Sequence, residues 1–239
     1  MSIKIFGYNI DTTYPNWPIN KCIVINTLNP HSFCVAEKDN AFKQALLSSD
    51  ILIPDGIGVV MAAKVLKGVK ISRIAGADMH MHLLKEAQKN KLKVFYLGSS
   101  EKVLKIIKTR INKEYNLINV GTFSPPFKFD FSKEDDLKMI DMVNRFSPDI
   151  LFVGMTAPKQ EKWAYLNKNK LNATIITSIG AVFDFYAGNI KRAPKWMINI
   201  GLEWLYRLIK EPRRMWRRYL VNNTKFIYYV IKEKLLNNV

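Results

Sequence analysis

Cysteine is scarce in this sequence. The 239 residues hold two, Cys22 and Cys34, too few for a disulfide framework, so both are expected as free thiols in a reducing cytoplasm. Long apolar runs are missing as well. The longest one near the carboxyl end covers residues 226–231, far short of the ~20 residues that span a bilayer. A membrane would be met from its surface only. Met1 is not followed by a basic segment and a long apolar stretch, so no signal peptide is expected. His31, His80 and His82 stand at no metal-ligand spacing with cysteine or carboxylates and are expected in structural or surface roles. There is no D-x-D sequence of the kind that holds a metal–diphosphate. No G-x-G-x-x-G follows a strand to open a helix, which weighs against a dinucleotide oxidoreductase. Acidic residues are few, 20 against 37 Lys and Arg. The net charge of +17 argues for an anionic partner: nucleic acid, an acidic membrane surface or a phosphorylated substrate.

What is present is a core-sized apolar fraction, 48%, arranged in alternating patterns. Apolar, β-branched runs at 21–27, 50–56, 93–99, 117–123, 149–155 and 173–180 read as strands. Helical patterns at 41–49, 58–66, 77–90, 100–115 and 133–146 lie between them. The alternation predicts an α/β fold, Rossmann-like, with a mostly parallel sheet covered by helices on both faces. It stops near Pro194. The expected division is an α/β core over 1–194 and a basic-aromatic helical appendage over 195–239. Pro212 should end or kink the first long helix of the appendage near Glu211. Because the β-α pattern is complete by Asp184, the core is expected to form without the tail. From Lys191 onward there are twelve Lys or Arg and three Glu, a net of +9.

In open parallel sheets ligands collect beyond the carboxyl ends of the strands, and polar or glycine residues gather there. Thr27 and Asn29 follow the first strand, Asp55 and Gly56 the second, and Gly98 and Ser99 the third. Gly154 to Gln160 and Gly180 to Asp184 follow the last two. A single glycine after a strand is an ordinary turn; five such places on one edge make a crevice. Asp55 reads from spacing as an N-cap for a helix starting near Gly58. It also reads as a general base, since Gly56 and Gly58 would let a substrate approach it closely. Arg73 is either a surface residue or a bidentate phosphate ligand, and Gln160 either a helix-start polar residue or a binding one. At about 100° per residue, Arg207, Arg214, Arg217 and Arg218 fall within roughly a quarter-turn. A solvated basic face is the plain reading of them. The interleaved Trp204, Tyr206, Trp216 and Tyr219 are more than such a face requires.

Three segments carry a family resemblance: PDGIGVV at 54–60, APKQEKW at 157–163 and the stretch from Ser178 to Leu220. Together they make the chain similar to the WecG/TagA/CpsF family of bacterial glycosyltransferases. The resemblance implies an inverting transferase. It would move an N-acetylmannosamine-type sugar from a UDP-sugar to N-acetylglucosamine on undecaprenyl diphosphate, for a cell-surface polymer. It implies Asp55 as the catalytic base, Arg73 of R-x-x-G-x-D as an active-site residue, and Thr27 and Asn29 of T-x-N beside the nucleotide-sugar. It places Gln160 and Glu161 of P-K-Q-E at the donor, on the strand-end edge that also holds Gly56, Gly98, Ser99, Gly180 and Asp184. Arg207, Arg214 and Arg217 would reach the diphosphate or the lipid-linked acceptor from a tail that closes over the site and touches membrane. No metal or other cofactor is implied; cations and backbone N–H groups would take over the diphosphate charge. The place implied is the inner face of the cytoplasmic membrane, against an anionic surface, with self-association left open.

Three departures from the family pattern touch the donor: a short segment between Gly7 and Asn26, Thr156 in place of a usual glycine, and the GTFSPPF turn at 121–127. They keep another UDP-hexose or a UDP-uronate as an alternative donor. A nucleic-acid-binding protein is the alternative from another class, but no nucleic-acid motif is present and none is expected to bind.

Overall fold

The computed structural model describes residues 2–236. It opens with an antiparallel hairpin, β1 (Ser2–Ile5) and β2 (Tyr8–Asp11). Six further strands follow: β3 (Ile23–Leu28), β4 (Ile51–Pro54), β5 (Val94–Gly98), β6 (Val120–Phe123), β7 (Ile150–Gly154) and β8 (Ile175–Ser178). They form one parallel sheet in the order β4-β3-β8-β7-β5-β6. The helices between them are α1 (Pro30–Ala36), α2 (Asn40–Leu47), α3 (Ile57–Lys67), α4 (Gly76–Asn90), α5 (Glu101–Tyr115), α6 (Lys133–Phe146) and α7 (Lys159–Asn167). After β8 come α8 (Val182–Ala187), α9 (Lys195–Asn199), α10 (Glu203–Lys210), α11 (Pro212–Trp216) and α12 (Asn222–Leu236). A π-helical turn, Arg217–Val221, joins α11 to α12.

The strands read as continuous apolar runs because both faces are covered. Ile23, Ile25, Val94, Tyr96, Ile150 and Phe152 point into one layer with residues of α4, α5 and α8. Their neighbours Val24, Phe95, Leu97, Leu151 and Val153 point into the other, with α6 and α7. The α/β sheet expected from the alternation is the one found.

The β1–β2 hairpin and helix α1 are among the elements that the sequence patterns do not show. The β1–β2 hairpin lies beside edge strand β4, and the Asp11 carboxylate accepts a hydrogen bond from the Leu52 N–H at 3.1 Å. Helix α1 begins with a reciprocal cap: Asn29 Oδ1 accepts from the Ser32 N–H at 2.9 Å, while Ser32 Oγ accepts from the Asn29 N–H at 2.8 Å. Pro30 fills the first turn, where its missing N–H costs nothing.

Pro212 separates α10 from α11 at Glu211, as its ring requires. The tail beyond Pro194 does not stay apart from the core. Helix α12 packs against α1 and α3 and buries Phe226 and Val230 among Phe33, Val59 and Ala62. The Phe226 ring meets Phe33 edge-on at 5.3 Å between centroids. The tail thus shares one apolar cluster with the core.

Candidate active site

Strand β4 delivers Asp55. Its N–H donates to the Leu28 carbonyl at 2.8 Å, carrying the β3–β4 ladder one residue beyond the strand. The Pro54 carbonyl accepts from the Ile74 N–H at 2.9 Å and so fixes the loop that holds Arg73. Helix α3 starts at Ile57 with Gly56 as its N-cap, at φ 102°, and no side chain caps it. The capping role that spacing suggested for Asp55 is not used. Only glycine enters that backbone region without strain. At Gly58 the need is space: a methyl there would lie 2.5 Å from Pro30 Cγ. The first turn of α3 and the start of α1 thus close on each other around Asp55. Its half-buried carboxylate is raised to about 6, first by loss of water and then by the charge of Glu203, against the pull of Arg73 and Arg218. At neutral pH it is ionised but only just, the state a general base needs.

Arg73 is held by the tail. Its guanidinium donates to Glu203 Oε2 at 3.0 Å and lies 3.8 Å from Asp78. Arg192 Nε donates to the other Glu203 oxygen at 3.1 Å and its NH2 reaches Asp78 at 3.4 Å. Asp78 also accepts from the Ala75 N–H at 3.1 Å, at the start of α4. Burial works against the Glu203 carboxylate, yet hydrogen bonds and charge from Arg192 and Arg73 hold it below the ordinary carboxylate range. Two arginines and two acids from the core and α10 make one network, which fixes the Arg73 guanidinium beside Asp55.

A third group comes from α7 and the π-helical turn. Gln160 Oε1 accepts from the Met155 N–H at 3.2 Å, and its amide donates to Glu161 Oε1 at 2.8 Å. A methyl on Gly180 would sit 2.9 Å from Gln160 Oε1, so Gly180 is what lets the β8 loop approach. Glu161 is buried, its second oxygen has no partner, and burial raises it to about 7 against Gln160 and Arg218. Arg218 is the cation shared by these groups: its charge acts on Asp55, Glu161 and His31. Burial and the neighbouring Arg207 push its own pKa down, and the Nε atoms of both arginines are buried without partners. Two buried guanidinium donors left open, one of them on Arg218 within reach of the Asp55 charge, form a ready place for a polyanion. His31 is neutral, held down to about 4 by burial and Arg218, with Nδ1 accepting from the Asn222 amide at 2.6 Å.

The model of the glycosyl transferase family WecG/TagA/CpsF matches residues 5–239. This chain belongs to that family. The resemblance read from PDGIGVV, APKQEKW and the tail is thereby confirmed. A relative from Bacillus subtilis is 37% identical over 211 residues, 88% of this chain and 80% of its own. One from Bacillus spizizenii is 33% identical over 229 residues, 96% and 86% of the two chains. One from Staphylococcus aureus is 29% identical over 226 residues, 95% and 86%. All three are named N-acetylglucosaminyldiphosphoundecaprenol N-acetyl-beta-D-mannosaminyltransferase.

Within this member of the WecG/TagA/CpsF family, the expected site residues fall into three sets. Asp55, beside Arg73, and Glu161, bonded to Gln160, both lie within the field of Arg218. Thr27, half-buried and in register with Ile53, Asn29, whose Cβ would lie 3.9 Å from a methyl on Gly56, and Gly56 itself border Asp55. Gly98, Ser99 and Asp184 share the sheet edge but are engaged locally. A methyl on Gly98 would lie 2.4 Å from the Gly154 carbonyl, Ser99 O accepts from Ser124 Oγ at 2.7 Å, and Asp184 accepts from Asn189 at 3.3 Å.

The tail arginines do not share a quarter-turn. Arg207 points inward over the Phe185 ring at 5.3 Å. Arg214 is exposed and pairs with Glu211 at 2.7 Å, and Arg217 is exposed over Trp216 at 5.2 Å. Arg218, which helical counting grouped with them but the resemblance left unassigned, is the one whose charge reaches Asp55 and Glu161, and counting could not separate it from Arg214 and Arg217 because Pro212 and the π-helical turn both change the rotation. Among the described residues, no group of three or more His, Cys, Asp or Glu is placed to hold a metal ion, and no helix is long and apolar enough to cross a membrane.

Proposed function

We propose that this glycosyl transferase moves N-acetylmannosamine from a UDP-linked donor to N-acetylglucosamine carried on undecaprenyl diphosphate, with inversion at the anomeric carbon. The observation that carries the reading is Asp55: an unpaired carboxylate, raised to about 6, at the end of β4 within the field of Arg73 and Arg218. Asp55 takes the proton of the acceptor hydroxyl as that oxygen bonds to the anomeric carbon. On the opposite face the bond to the β-phosphate oxygen breaks and UDP leaves with the electron pair. Arg218, Arg207 and Arg73 meet the charge that grows on the diphosphate. Thr27 and Gln160 orient the donor, and Glu161, raised to about 7, carries less than a full negative charge at neutral pH and so repels the donor less than an ordinary carboxylate would. The names of the relatives support both sugars and the lipid carrier. The test is mass and NMR analysis of the product from UDP-N-acetylmannosamine and a short-chain polyprenyl-diphosphate N-acetylglucosamine. Addition of one β-linked N-acetylhexosamine is expected; addition only from another UDP-hexose or a UDP-uronate would redirect the donor assignment.

Metal-independent transfer belongs to the same proposal; the cations Arg73 and Arg218, whose charges act on Asp55, support it. Activity is expected to survive EDTA within about two-fold, since the cationic clamp is built from side chains. A loss restored by magnesium or manganese would overturn this. Glu203 positions Arg73 and helps raise Asp55. Glu203→Gln is expected to cut kcat on the order of 10²-fold through misplacement of Arg73. It should also move the acidic limb of the rate profile below pH 6, since one of the charges raising Asp55 is gone. An unmoved limb would show that Glu203 acts only on the fold.

The same proposal sets the protein at the inner face of the cytoplasmic membrane, where a lipid-linked acceptor would be met. Support comes from the exposed Trp196, Ile209, Trp216 and Leu220 of the tail, set among its basic residues. Aromatic and basic side chains together suit an anionic bilayer surface.

A further inference from the structure

Helix α3 belongs to the core, yet it keeps an apolar stripe uncovered. Ile57, Met61 and Val65 recur every four residues and are 39%, 59% and 46% exposed. The opposite side of the helix, with Val59, Ala62 and Ala63, is buried. An amphipathic helix packed on a core turns charge outward; α3 turns out three apolar side chains flanked by Lys64 and Lys67 and has no acidic residue.

The stripe continues into the tail on both sides. A methyl on Gly201, between α9 and α10, would touch Ile57 Cβ at 3.2 Å, and one on Gly58 would lie 3.8 Å from the Phe226 ring of α12. Beyond these contacts Trp196 and Ile200 are exposed on one side, Ile227 and Ile231 on the other. The apolar surface therefore runs from α9 across α3 to α12.

We propose that α3 is part of the face that rests on an anionic lipid bilayer, so that the membrane contact extends beyond the tail into the catalytic core. Charge selects this occupant. Lys64, Lys67 and Lys70 edge the stripe, with Lys225 and Lys232 on α12. A two-fold contact with a second copy would bring these like charges together, whereas an anionic leaflet complements them. Position supports it too: α3 begins two residues after Asp55, so a bilayer against Ile57 lies at the mouth of the site. A lipid-linked diphosphate could then present its sugar to Asp55 while its chain stays in the leaflet. The inference rests on the membrane-borne acceptor proposed above.

The test compares the full chain with Met61→Glu/Val65→Glu and with a tail variant, Trp196→Ser/Trp216→Ser, by flotation with vesicles of phosphatidylcholine and phosphatidylglycerol. Transfer is measured to a bilayer-embedded acceptor and to a short-chain soluble one. Met61→Ser/Val65→Ser, milder in charge, guards against misfolding, and thermal midpoints are taken for all. The α3 glutamate variant is expected to lose ~10-fold or more in vesicle binding and in transfer to the embedded acceptor. Its transfer to the soluble acceptor should stay within about two-fold, because neither residue reaches the site. Flotation lost in the tail variant but intact in both α3 variants would overturn this inference and leave the membrane reading standing. A wild-type chain that never floats would overturn both. A wild-type dimer made monomeric by the α3 changes, with flotation intact, would assign the stripe to self-association instead.

Discussion

Asp55→Asn is expected to remove most transfer and to make the protein more stable. The first effect follows from losing a general base, typically worth about 10²–10⁴-fold. The second follows from linkage. The folded-state pKa is raised to about 6, above the ordinary value of about 3.9. Between these values the native state holds a proton that the unfolded state has released, so stability falls as pH rises through that window. Above about pH 6 the full penalty stands: the ionised, enclosed carboxylate costs up to about 3 kcal/mol at pH 8. Asparagine keeps the shape without the charge, and the thermal midpoint should rise by several degrees at pH 8 and hardly at all at pH 4. Thermal unfolding at the two pH values, beside the transfer assay, checks both halves. A variant that is less stable at pH 8, or that turns over near the wild-type rate, would place the functional carboxylate elsewhere.

Removing residues 196–239 is expected to cost both activity and stability. Arg207 and Arg218 go, and with them the open guanidinium donors near Asp55 and Glu161. Glu203 goes as well, releasing Arg73 and Arg192. Loss of one preorganised charge-stabilising group typically costs about 10²–10³-fold, so the truncated chain should retain less than about a thousandth of the rate. Its stability should drop by about 3–6 kcal/mol, because Phe226 and Val230 leave Phe33, Val59 and Ala62 uncovered. Denaturant unfolding of the two proteins gives the comparison. A truncated chain as stable as the full one would mean that α12 merely rests on the core.

The β-α core was legible in the sequence for a specific reason. Strands buried on both faces must be apolar throughout, so runs such as that around Phe152 stand out between amphipathic helices. The strand-end carboxylate Asp55 was legible because glycines flank it, and the structure shows what each glycine is for: backbone conformation at Gly56, clearance from Pro30 at Gly58. The hairpin β1–β2 was not legible, since its short strands, SIKI and YNID, mix polar with apolar residues and lack the continuous apolar run of a strand buried on both faces. Counting at a helical period already grouped Arg218 with Arg207, but it could not set these two apart from the exposed Arg214 and Arg217, because a proline break and a π-helical turn change the rotation between them. The ties from Glu203 to Arg73 and from α12 to α1 join distant parts of the chain, and pattern along a sequence carries no sign of them.

The measurement that tests the central claim most directly is the pH dependence of kcat/KM for transfer in wild type and in Asp55→Asn, since kcat/KM reports the pKa values of the free enzyme. The account predicts a wild-type acidic limb with its midpoint at about pH 6, falling about tenfold per pH unit below it, and the disappearance of that limb in the asparagine variant. A wild-type rate that stays level through this range, or the same limb retained in Asp55→Asn, would contradict it.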